Sequence, residues 1–64
     1  MKTAAQIAKT NHEDPKDAAS DAIANHISIE DLISALHAEY PGEIDTEIEA
    51  DYRKAYGELQ AEAA

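Results

Sequence analysis

The apolar residues of the second half of the chain fall into two helical stripes. Ile29, Leu32, Ile33, Leu36 and Tyr40 recur at i, i+3, i+4, i+7 and i+11, the spacing that gathers side chains on one face of an α-helix. Ser28 stands where an N-cap belongs, and Asp31 follows three residues later. Ile27 and Leu32 have the spacing of a hydrophobic staple across that cap. Pro41-Gly42 ends the pattern. The second stripe comprises Ile44, Ile48, Tyr52, Ala55, Tyr56 and Leu59. At 100° per residue these fit an arc of about 120°.

A local ambiguity lies inside that second stripe. In Glu43-Ile44-Asp45-Thr46-Glu47-Ile48-Glu49-Ala50-Asp51 every second residue is acidic. Alternation alone reads as a strand. The continuation of the helical spacing to Leu59, with no partner strand in sight, predicts a helix instead. Asp45 and Thr46 are both candidate caps for it. Glu49–Arg53 and Lys54–Glu58 form i,i+4 pairs of the favourable orientation, each worth about 0.2–0.5 kcal/mol. Gly57 costs up to about 1 kcal/mol in a helix interior.

The first half is helical too, with smaller residues. Thr3 and Gln6 have capping-box spacing and open a two-turn helix over AAQIAKT, which Asn11-His12 breaks. Asp14-Pro15 starts a second helix, because Asp caps and Pro is favoured at the first helical position. That helix fades at Asn25-His26, and its buried face is expected to hold Ala19, Ala22 and Ile23, with Ile27 beyond its end. The expected fold is therefore all-α: a compact bundle of three to four short helices, one acidic domain over residues 1–64. The last two helices form a hairpin through Tyr40-Pro41-Gly42-Glu43, their stripes facing each other, and the two N-terminal helices pack across it.

Composition limits how stable such a bundle can be. Among 64 residues the large apolar side chains are seven Ile, three Leu, three Tyr and Met1, with no Val, Phe, Trp or Cys. A chain of this size buries only about 60% of its unfolded surface. The absence of Cys removes disulfides, thiolate zinc sites and thiol chemistry. No apolar run approaches the roughly 18 residues of a membrane span, and the N-terminus MKTAAQIAKT has no apolar signal region. The expected location is the cytoplasm.

Charge changes the picture most. The formal net charge is -9, of which residues 1–27 contribute -1 and residues 28–64 contribute -8. A polyanion is a poor ligand for nucleic acid or anionic membranes, since both recruit Lys and Arg. Its natural partner is a basic protein surface. Capping and the helix dipole account for one or two of the five acids between Glu43 and Asp51. Glu47 and Asp51 repel at i,i+4, so the surplus costs stability and points to binding.

Catalysis and cofactors find no support. A calcium loop beginning at Asp45 would need Gly at its sixth and Glu at its twelfth position, where Ala50 and Tyr56 stand. His12, His26 and His37 lack zinc spacing. Ser20, Ser28 and Ser34 lie in helical contexts without a nucleophile elbow. The chain is expected not to be an enzyme and to need no metal or cofactor.

A tiny, Cys-free, strongly acidic helical chain carrying EIDTEIEAD resembles the small anti-CRISPR proteins of phages and mobile elements, several of which are DNA mimics. The resemblance rests on size, charge and that acidic surface. It implies a partner in a type I CRISPR effector complex, the subunit that reads the protospacer-adjacent motif, and blocked target-DNA binding in a bacterial host cell. Similar acidity occurs in restriction-enzyme decoys and uracil-glycosylase inhibitors. Physically, acids at i and i+4 lie about 6 Å apart, near the phosphate spacing of one DNA strand. The candidate partner-binding residues are Glu39, Glu43, Asp45, Glu47, Glu49, Asp51 and Tyr56. The alternative is a small interaction module, a phage accessory protein or an antitoxin, that binds through an apolar and Tyr surface. Tyr56 is the strongest single interface candidate for that reading, since Tyr is enriched at interfaces. A monomer or weak homodimer is expected, and an acyl-carrier role is set aside for want of an Asp-Ser-Leu attachment site.

Overall fold

A computed structural model describes residues 1–63. Four α-helices follow one another: α1 (Ala4–Asn11), α2 (Pro15–Ala24), α3 (Ile29–Glu39) and α4 (Thr46–Ala63). Each begins on a side-chain oxygen that takes up an otherwise orphaned backbone N–H. At α1 the capping box closes both ways: Gln6 N–H donates to Thr3 Oγ1 at 3.2 Å, and Thr3 N–H donates to Gln6 Oε1 at 2.9 Å. Asp14 caps α2 through Asp17 N–H at 3.2 Å, and Ser28 caps α3 through Asp31 N–H at 3.2 Å. For α4 the cap is Asp45, which accepts from Ile48 N–H at 2.9 Å. Thr46 is thus the first helical residue, and Glu43 and Ile44 precede the helix.

Two connections have specific backbone chemistry. After α2, Ile27 N–H reaches Ala22 O at 2.8 Å and His26 N–H reaches Ile23 O at 3.1 Å. These are the two bonds of a Schellman cap. The cap requires a left-handed residue, and His26 supplies it at φ 59°. After α3, Glu43 N–H donates to Tyr40 O at 3.1 Å, with Gly42 at φ 78°. Pro then Gly at the centre of a turn, with Gly at positive φ, is the signature of a type II turn.

The core joins Ile7 and Ala8 of α1, Ala18 and Ala22 of α2, Leu32, Ile33 and Leu36 of α3, and Tyr52 of α4. Fully burying an Ile or Leu side chain stabilises by about 1.5–3 kcal/mol. The most extensive contacts are crosswise, α2 on α4 and α1 on α3, with α1 and α2 also packed together. The small Ala18, Ala19 and Ala22, all fully buried, let α2 settle closely into this position. Ile23, expected in the core, is only half-buried, because the α2 surface that faces its neighbours is the Ala one.

The α3–α4 hairpin forms, but its two apolar stripes meet less than expected. Polar links along one edge show its antiparallel course. Tyr56 OH donates to Ile27 O at 2.8 Å, Arg53 Nη1 to Glu30 at 2.6 Å, and His37 Nε2 lies 3.0 Å from Glu49 Oε2. As the chain advances from Ile27 to His37, its partner retreats from Tyr56 to Glu49. The Cα radius of gyration is 10.4 Å, against about 10.7 Å for a compact chain of this length.

Candidate functional site

The acids singled out from the sequence divide into two groups. Glu39 lies 3.6 Å from Lys9 Nζ, and Glu49 lies 3.0 Å from His37 and 3.9 Å from Arg53. Both are partly covered, with side chains 27% and 30% exposed. Asp45 is occupied as the α4 cap. Glu43, Glu47 and Asp51 are exposed and have no ion-pair partner among the described residues. Beyond Asp51 the exposed Lys54 interrupts the acidic flank of α4; the pair expected between Lys54 and Glu58 is not made.

Tyr56 is held by the fold. Its ring packs against the core cluster and its hydroxyl donates to Ile27 O in the α2–α3 connection. The hydroxyls of the other two tyrosines reach the end of α1 and the α1–α2 connection. Tyr52, fully buried, donates to His12 O and lies 3.4 Å from Asn11 O. Burial pushes its phenol pKa up, and the nearby Asp14 carboxylate adds to the rise. Tyr40 OH lies 3.2 Å from His12 Nδ1, and the two rings stack at 4.5 Å between centroids.

These struts shape a groove of about 570 Å³ between the α1–α2 connection and the α3–α4 turn. That volume falls within the range of ligand clefts, about 300–1,000 Å³. Its apolar floor includes Pro15, Ile44 and Ile48, and the His12–Tyr40 stack stands at its wall. Glu13, Glu43 and Asp51 rim it, and no Lys or Arg lines it. Glu43 and Asp51 were legible as candidates. Glu13, His12 and Pro15 were not, because they reach the site only through the packing of α2 on α4. No three His, Asp or Glu side chains among the described residues converge closely enough to hold a metal ion.

Elsewhere the carboxylates serve the fold. Asp21 accepts from Lys2 Nζ and Asn11 Nδ2, both at 2.9 Å, and the Lys2 hydrogen bond draws its pKa below the usual range. Glu30 is lowered likewise by Arg53. Asp17 is raised by the neighbouring negative charge of Asp14. No helix among the described residues is long and apolar enough to cross a membrane. No protein-family model, no curated protein and no solved structure matches the chain.

Proposed function

We propose that this protein binds a basic, nucleic-acid-binding surface of another protein and keeps nucleic acid off it by standing in for phosphates. The observation that carries this reading is the unpaired, exposed set Glu43, Glu47 and Asp51, beside a groove that no Lys or Arg lines. Carboxylates without internal partners are a standing cost in a chain of net charge -9. A basic partner turns that cost into attraction, fast in association and weakened by salt. Following the resemblance drawn from size, charge and the EIDTEIEAD segment, the partner is the motif-reading subunit of a type I CRISPR effector complex, and the effect is blocked target binding. The apolar-interface alternative has less to stand on, since Tyr56 is engaged with Ile27 O and the core.

The test captures partners from bacterial lysate on the tagged protein and challenges them with duplex DNA and with salt, then repeats the DNA competition on a purified type I effector complex. Release by both agents, and loss of capture for the Glu43→Gln, Glu47→Gln, Asp51→Asn triple variant, is the expected result. A partner that resists salt and ignores duplex DNA, or equal capture by the triple variant, would sink the proposal.

A further inference from the structure

The groove is apolar at its base and anionic at its rim, which restricts what fits it. The complementary side chain has an aliphatic stem and a cationic head. Lysine and arginine both meet that description, and two observations favour arginine. The carboxylates of Glu13, Glu43 and Asp51 come from three different segments: the α1–α2 connection, the turn, and α4. They do not converge on a point, as the lack of any metal-holding group shows, so a compact ammonium satisfies fewer of them than a planar guanidinium with five splayed donors. The stacked His12–Tyr40 pair offers aromatic surface at the wall, and guanidinium packs on aromatic faces. Glu43 and Asp51 also hold no internal cation that an incoming one would have to displace; Glu13 has only His12, at 3.7 Å, which is a cation only when protonated.

We infer that this groove seats an arginine side chain of the partner's basic surface, its stem along Pro15, Ile44 and Ile48 and its guanidinium among Glu13, Glu43 and Asp51. The inference rests on the basic-surface reading above and adds an anchor point to it. One arginine held in a groove gives the complex a fixed register, which a diffuse acidic face alone does not.

The test is an NMR titration of the isotope-labelled protein at low salt with the peptide acetyl-Gly-Arg-Gly-Arg-Gly-amide. The same peptide with citrulline, and with lysine, serves for comparison. Amide shifts are expected to concentrate at Glu13, Tyr40, Glu43, Ile44, Ile48 and Asp51. Arginine should bind about tenfold more tightly than citrulline and measurably more tightly than lysine. The E43Q/D51N variant should lose about tenfold in affinity, while E58Q/E62Q, which removes equal charge from the far end of α4, loses less than about twofold. Equal losses in the two variants, or shifts spread evenly along α4, would overturn the groove while leaving the basic-surface reading intact. Equal binding of citrulline, or no binding of the arginine peptide, overturns it as well. The basic-surface reading stands or falls separately, on release of its partner by duplex DNA.

Discussion

At the residue scale, the three tyrosines do more for this fold than their number suggests. Each hydroxyl reaches a backbone carbonyl in the last turn of a helix or in the connection after it: Tyr40 towards Lys9 O at 3.4 Å, Tyr52 to Asn11 and His12, and Tyr56 to Ile27. Tyr52 is the largest fully buried side chain, and Tyr52→Phe keeps the ring while leaving two carbonyls without its hydroxyl. A loss of about 0.5–1.5 kcal/mol is expected in urea unfolding. No loss would mean that water satisfies those carbonyls equally well. The same residue gives a pH dependence. Its folded pKa is raised above the ordinary value, so the folded state holds that proton more tightly than the unfolded chain. Its contribution is complete below about pH 10 and disappears as pH climbs from there through the folded value. The alkaline fall in stability should therefore shrink in Tyr52→Phe. His26 works in the other direction. It is a non-glycine residue at φ 59°, exposed, in a cap that glycine usually fills. His26→Gly is expected to stabilise by about 0.5–1 kcal/mol, the relief of left-handed strain exceeding the added freedom of the unfolded chain. A drop in melting temperature would show that the imidazole holds something the backbone does not.

At the scale of elements, local chemistry was read well and long-range chemistry was not. Thr3, Asp14 and Ser28 cap the helices they were expected to cap, because capping depends on residues three positions apart. The acidic alternation from Glu43 to Asp51 became a turn, a cap and a helix start, because the apolar period beyond it outweighed the local one. What the chain did not disclose is that α2 lies on α4 and α1 on α3. Periodicity says which face is buried and not which neighbour covers it. Glu13 and Pro15, opposite Ile44 and Ile48 in the groove, were hidden for that reason. Gly57 offers an element-scale test. It is exposed inside α4, and a Cβ added there meets no atom within 4 Å. Gly57→Ala should then stabilise by about 0.5–1 kcal/mol from helix propensity alone. For a domain this small, that corresponds to an increase of about 4 °C or more in melting temperature. No change would imply that α4 frays before Gly57, and its last turns would then add nothing to the bundle.

At the scale of the whole molecule, salt should act on stability and on binding with opposite signs. The chain carries -9, and its exposed ion pairs, Lys2–Asp21 and Arg53–Glu30 among them, are of the kind that contributes about 0–1 kcal/mol each. Self-repulsion within the folded state outweighs them, since 14 Asp and Glu face only five Lys and Arg. Raising ionic strength from about 0.05 M towards 1 M shortens the screening length to about 3 Å and mutes that repulsion. The melting temperature should therefore rise with sodium chloride. The same screening weakens attraction to a basic partner, whose affinity should fall over the same range. Thermal unfolding by circular dichroism and partner capture, run at matched salt concentrations, measure both. A melting temperature that falls with salt would mean that the paired edge of the hairpin, Glu30–Arg53–Glu49–His37, outweighs the unpaired flank of Glu43, Glu47 and Asp51. The acids would then be fold elements first, and the case that they are kept for a partner would lose its energetic ground.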